Sequence, residues 1–212
     1  ILFGAYSQRL DRELRELAYM GATVLPDEAI FPVRKVAIPV QIRNTNQPEH
    51  PGTMIVGDDS PIAPSGTISG VAGRRDFTVI FVEKAMMNSE IGFGRRLLSA
   101  IESHGISYEH TPSGIDTMSV VMASSQLDGK LDDVLASIRA ECAPDKLEVV
   151  SNIALIATVG RGMARRPGVA ARLFTALAEA NVNIRMIDQG SSELNIIIGV
   201  EEADFERAVQ AI

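Results

Sequence analysis

The chain has 212 residues, 46% of them hydrophobic and 22% charged, which is enough for one large or two small packed domains and too apolar for disorder. A formal net charge of −7 and a pI near 5.0 leave no basic face for nucleic acid. One cysteine, Cys142, rules out an internal disulfide. No Cys/His cluster has metal-ligand spacing, no apolar run reaches membrane-spanning length, and the N-terminus lacks a signal-peptide pattern, so a cytoplasmic protein is expected.

In chain order, SQRLDRELRELAYM (7–20) predicts a helix with Leu10, Leu14, Leu17 and Ala18 on one face, closed by Gly21. ATVLPDEAIFPV is broken by Pro26 and Pro32. VAIPVQIRNT (36–45) alternates as a strand with Pro39 at an edge or bulge. NQPEHPGTMIVGDDSPIAPSG is dense in Pro, Gly and Asp and predicts a loop or linker. DFTVIFVE (76–83) is a β run.

From here the chain repeats itself. Residues 92–122 and 168–198 align without a gap at an offset of 76. Two copies do not make a solenoid, so a packed pair of small domains is expected. The first helix buries Phe93, Leu97, Ile101 and His104; the second uses Val169, Leu173, Leu177 and Ala180. Gly105 and Asn181 stand at the helix ends, where left-handed conformers are favoured. ISYEHT and VNIRMID then predict strands, SGID and GSSE turns, and MSVVMA and LNIIIGV return strands. Each copy ends in a helix, with Leu131, Val134, Leu135 and Ile138 matching Phe205, Ala208, Val209 and Ile212. With FTVIFVE and ALIATVG in front, each copy reads as a ferredoxin-like βαββα unit lacking its closing strand, so the fold class is α+β. KLEVV (146–150) can close the first copy; for the second, VAIPVQIRNT can fill the slot and leave that copy discontinuous, a truncated C-terminus being the equal alternative. The absence of an initial Met and a helical pattern running to the last residue suggest a piece of a longer polypeptide.

Chemistry concentrates at two places in each copy. The first is a glycine opening a helix, Gly92 or Gly168, where exposed N–H groups suit a carboxylate or a phosphate. GRGMARRPG lacks the GKS/T ending of a phosphate loop and has no acidic residue at ribose distance. The alternative for both glycines is close helix–sheet packing. The second is the polar run near the turn: Glu109, Ser113 and Asp116 in one copy, and Asn183, Asp188, Gln189, Ser191, Ser192 and Glu193 in the other. A carboxylate facing a neighbouring unit's helix N-terminus can hold an ammonium group while the N-terminus holds a carboxylate, which together recognise an amino acid. The alternative is that these residues serve their own backbone. His50, His104 and His110 form no triad with a nucleophile.

VGRGMARRPGVAARLFTALAEANVNIRMIDQGSSELNIIIGV closely resembles the second regulatory ACT domain of aspartate kinases. FTVIFVEKAMMNSEIGFGRRLLSAIESHGISYEHTPSGIDTMSVVM resembles the first, in the branch carrying MMN, GF and PSGID. RELRELAYMGATVLPDEAIFPV and IPVQIRNTNQPEHPGT resemble the end of the kinase domain and the segment that follows it. Pro26 stands where the family would have a histidine, and ILFGAYSQRL departs from its pattern.

The resemblance implies two packed ferredoxin-like (βαββαβ) ACT domains after a helical remnant of the kinase domain: 1–34 for that remnant, 66–150 for the first ACT domain, and 35–65 with 151–212 for the second. It implies a feedback sensor that pairs into a homodimer through its ACT domains and binds lysine or threonine. The family transfers phosphate from ATP, with Mg, to the β-carboxylate of L-aspartate, but its catalytic motifs have no counterpart here, so no catalytic residue and no cofactor is assigned. By motif position, the lysine pocket falls on Met87, Gly92, Phe93, Tyr108, Glu109, Ser113 and Asp116. Glu109 and Asp116 would meet ammonium groups, and the amides at Gly92 and Phe93 the carboxylate. The second copy offers Gly168, Val169, Asn183, Ile184, Gln189 and Ser192. A ligand-free structural dimerisation module and an active phosphotransferase are the alternatives.

Overall fold

The computed structural model describes residues 2–3, 8–21, 32, 36, 38–57 and 66–212. The chain divides into two compact units, Arg75–Ala154 and Ile1–Arg74 with Leu155–Ile212. Each is described separately.

The Arg75–Ala154 unit takes residues from strand β5 (Gly70–Glu83), then helix α2 (Phe93–Glu102), strand β6 (Thr117–Ala123), helix α3 (Leu131–Cys142) and the first part of strand β7 (Lys146–Val159). The alternation of Ile80 and Val82 on β5 meets Val120 and Met118 in antiparallel register on β6, presenting one apolar face. Phe93, Leu97, Ala100 and Ile101 of α2 and Val134, Ile138 and Cys142 of α3 cover that face in a single core. KLEVV closes the unit as expected, since it begins β7 directly after the Asp145 N–H bonds the Glu83 carbonyl at 2.9 Å.

ISYEHT is not a regular strand. It makes one isolated bridge, His110 with Val121, and a second follows it at Ser113 with Met118; the pairing goes no further because Pro112 has no N–H to donate and a turn follows at once.

In the other unit, β7 leads to helix α4 (Val169–Glu179), strand β8 (Ile184–Asp188), strand β9 (Asn195–Glu201) and helix α5 (Phe205–Ala211). Leu173 and Leu177 are buried from α4, and Ala208 from α5. The closing strand is the start of β5, not residues 36–45. The sheet order is β1-β5-β7-β9-β8, β1 being Leu2–Phe3, and the Ser69 N–H bonds the Val159 carbonyl at 2.7 Å. Among the described residues of VAIPVQIRNT, Val40–Ile42 forms a strand, β3, starting just after Pro39.

That strand joins a separate three-stranded sheet of order β2-β4-β3, with β2 Gln8–Leu10 and β4 Thr53–Val56. Two expectations change here. Gln8–Leu10 leave the predicted helix to pair parallel with β4, so helix α1 is only Asp11–Tyr19. TMIV, expected as loop, is the central strand, since neighbours on both sides satisfy its backbone. Leu14 and Ile55 form a small core between α1 and this sheet, with Val40 and Ile42 packed on it. Gly21 takes φ +97 at the end of α1, whereas Pro26 lies outside the described residues. Among the described residues no helix is long and apolar enough to cross a membrane.

Left-handed backbone positions recur at the same offset and extend the repeat. Gly92 and Gly168 have φ 80 and 86, and Gly105 and Asn181 have φ 69 and 54. Asp76 and Asn152, also 76 residues apart, have φ 70 and 58 in the middle of the two 14-residue strands. Asp and Asn tolerate this left-handed conformation best among side-chain-bearing residues.

Candidate functional site

In the Arg75–Ala154 unit, β5 ends at Glu83 and the next nine residues shape an opening at the start of α2. The Lys84 N–H bonds the Asp116 carbonyl (2.8 Å), the Asn88 N–H the Ile115 carbonyl (3.1 Å), and the Ala85 N–H the Asp145 Oδ2 (2.7 Å). Lys84 Nζ donates to the Cys142 carbonyl at 2.7 Å and pairs with Glu90 at 3.2 Å, while Arg96 Nε donates to the Glu141 carbonyl at 3.2 Å and Arg96 also pairs with Glu90. The two cations thus complement the negative C-terminal end of α3, each 6.0 Å from the Phe93 ring centroid. A loop held on three sides fixes where the α2 amides point.

The Phe93 N–H, assigned from sequence to a ligand carboxylate, is taken by the Glu90 carbonyl at 3.2 Å, whereas no side chain caps α2 and its first turn holds no acid. A β-carbon on Gly92 would meet only Arg96 Nη1 at 3.8 Å and Arg95 Nε at 3.9 Å. The equivalent opening at α4 is barer: no side chain caps it, and a β-carbon on Gly168 would meet nothing within 4 Å. Close helix–sheet packing therefore does not explain either glycine; the left-handed N-cap does.

Close packing does explain the other glycines of the second loop. A β-carbon on Gly160 would lie 2.3 Å from the Thr67 carbonyl oxygen, and one on Gly162 2.2 Å from that of Gly66. The GRG pattern answers to backbone packing, not to phosphate.

Of the residues assigned from sequence, Gly92 and the Ser113–Asp116 turn lie around the first opening, with Ser113 and Asp116 exposed. The Phe93 side chain is buried in the core, so this residue offers the opening no side-chain contact. Met87 is buried in the core, and it is Met86, 68% exposed, that lies at the surface. Tyr108 is exposed and Glu109 half-buried. The Glu109 N–H bonds Val121, four residues along β6 from Thr117, or roughly 13 Å from the turn at ~3.3 Å per residue. Burial raises the Glu109 carboxyl above its usual range, and neighbouring His110 opposes this.

In the other unit, Gly168 opens α4, Val169 is buried beneath it, and Ile184 starts β8 with a register shift before Met186. Asn183, Gln189 and Ser192 are exposed. Glu193 serves the backbone, its Oε2 accepting the Arg165 N–H at 2.6 Å.

The sequence reading missed the groups that hold the loops: Lys84, Glu90, Arg96, Asp145 and Glu13. Glu13 carried a signal, an acid four residues before Leu17 on the apolar face of a helix.

Two sequence-repeated α+β units of ferredoxin-like topology, each with an uncapped helix N-terminus behind a left-handed glycine, define a tandem small-domain module. An ACT-domain family model matches residues 156–212. Aspartokinase 3 of Bacillus subtilis is 44% identical over 202 residues, covering 95% of this chain and 44% of its own length. The crystal structure of Clostridium acetobutylicum aspartate kinase superposes with a TM-score of 0.92 at 55% identity, over 97% of this chain and 47% of that one. E. coli aspartokinase III in complex with lysine and aspartate superposes with a TM-score of 0.73 at 25% identity, over 96% of this chain and 44% of that one. The chain carries an ACT domain and is strongly homologous to the regulatory regions of aspartate kinases, and it spans a little under half the length of these relatives.

Proposed function

We propose that the chain is the feedback sensor of an aspartate kinase, binding lysine at the opening before α2 and a smaller polar amino acid, threonine, at the opening before α4. The observation that carries this reading is the pair of uncapped helix N-termini behind Gly92 and Gly168, with room above both. Amides there hold a carboxylate. Around the first opening Asp116 offers an anion for an ammonium group, whereas the exposed groups Asn183, Gln189 and Ser192 of the second suit an uncharged polar side chain. The lysine bound in the E. coli relative supports the first assignment.

The Glu109 backbone lies roughly 13 Å along β6 from the turn at its own opening. That separation favours a second copy as the source of the acid that completes the lysine site, and with it a homodimeric sensor. Effector binding must favour one state of the whole enzyme over another, and a coupling of about 1–3 kcal/mol suffices for useful control. ATP, Mg and aspartate chemistry belong to the catalytic part that the relatives carry beyond this segment.

Isothermal calorimetry with lysine, threonine and methionine tests the reading. Lysine is expected to bind, and Glu109→Ala to weaken it at least tenfold. No heat and no thermal shift with any of the three would leave a structural dimerisation module instead.

A further inference from the structure

The two loops are braced at equivalent positions by carboxylates of different origin. In the Arg75–Ala154 unit the Ala85 N–H is held by Asp145 Oδ2 at 2.7 Å, and Asp145 directly precedes that unit's closing strand. Seventy-six residues later, the Arg161 N–H is held by Glu13 Oε1 at 2.6 Å. The residue that stands where Asp145 would, directly before the closing strand β5, is Ser69. The pairing makes this correspondence explicit: the Asp145 N–H bonds Glu83, and the Ser69 N–H bonds Val159, again 76 residues on.

Ser69 is too short and uncharged to do what Asp145 does. It donates its hydroxyl to the same Glu13 Oε1, at 2.6 Å. Glu13 is 1% exposed, so these are charge-assisted bonds in a dry setting. One turn along α1, Glu16 Oε2 accepts from Asn195 Nδ2 at 2.7 Å. The start of the first loop is thus braced from within its own ferredoxin-like unit, whereas the start of the second, at Arg161, borrows its brace from α1, and only Arg165 farther along is held from within, by Glu193.

We propose that Glu13 is a positioning residue that makes the opening before α4, and not the one before α2, depend on the docking of α1. The regulatory meaning rests on the sensor reading above: threonine at the second opening and docked α1 stabilise each other, since such coupling is reciprocal. Lysine at the first opening has no such link.

Amide hydrogen exchange and calorimetry on the chain carrying Glu13→Ala, alone and with Ser69→Asp, test this. Losing a charge-assisted brace is expected to speed exchange about tenfold over residues 161–171, and not over 84–95. Ser69→Asp restores an acid from within the unit and is expected to return 161–171 to slow exchange while residues 12–19 of α1 stay fast. Glu13→Gln, which keeps an acceptor oxygen without charge, is expected to give about a threefold effect and serves if Glu13→Ala does not fold. Faster exchange at Arg161 alone, equal acceleration in 84–95, or failure of Ser69→Asp to rescue would overturn the proposal. Threonine affinity is expected to follow the exchange at 161–171 and lysine affinity to stay constant. If neither amino acid binds the unaltered chain, the sensor reading fails, while the exchange data still decide the role of Glu13.

Discussion

Gly160 and Gly168 lie eight residues apart in one loop, and alanine at each should be harmful for opposite reasons. At Gly168 there is space for a β-carbon but φ is +86. A side chain in that left-handed region costs about 1–2 kcal/mol, and the stiffer unfolded chain returns about 0.4–1 kcal/mol of it. The net loss for Gly168→Ala is then about 0–1.6 kcal/mol. At Gly160 φ is 176, which any residue adopts, but the β-carbon would stand 2.3 Å from the Thr67 oxygen and 2.7 Å from the Ile68 α-carbon. Both are backbone atoms that cannot swing aside, so overpacking of about 1–3 kcal/mol or more follows. Asparagine separates the two causes. It tolerates the left-handed region, so Gly168→Asn should recover most of the loss, while Gly160→Asn should be no better than Gly160→Ala. Urea unfolding of the four variants, read as midpoint and slope, gives the comparison. Equal costs for both alanines together with no asparagine advantage at 168 would refute the reasoning.

Two other outcomes follow from the Arg75–Ala154 unit. Because burial raises the Glu109 carboxyl, the fold favours its protonated form; that contribution is full below the ordinary value of 4.5 and is lost as pH rises through the raised one. Glu109→Gln should therefore raise the ligand-free melting temperature at pH 7 and scarcely change it at pH values below 4.5, and an equal change at both would contradict the assignment. Cys142 is 1% exposed and burial raises its thiol, so labelling by a thiol reagent at pH 8 should wait for unfolding of the unit. Leu97→Ala, at 0% exposure in the same core, should cost about 2–5 kcal/mol and speed that labelling, as stopped-flow absorbance would record.

What the sequence determined by itself is local. Helical periodicity is set within a few residues, so the faces of Leu97, Val134, Leu173 and Ala208 were legible, and the matched spacing of the two copies revealed the repeat. Left-handed positions at Gly21, Gly105 and Asn181 were legible too, because each follows from one residue's own sterics. The first opening was legible as a glycine before a helix. Its bracing was not, since Lys84, Ala85 and Arg96 find their partners at Cys142, Asp145 and Glu141, 45 to 60 residues on, only once the chain has folded.

The tertiary structure alone decided which strand closes which sheet. An edge accepts any extended segment with the right spacing of N–H and C=O groups, and periodicity cannot choose between Val40–Ile42 and the start of β5. The same holds for TMIV, which becomes a strand because two partners reach it, and for ISYEHT, which fails as one because Pro112 removes a donor. It holds for Met87, turned into the core while Met86 stays outside, and for Glu13, whose role exists only because the Arg161 amide, 148 residues away, arrives beside it. Non-local hydrogen bonds set these outcomes, and only the folded chain brings their partners together.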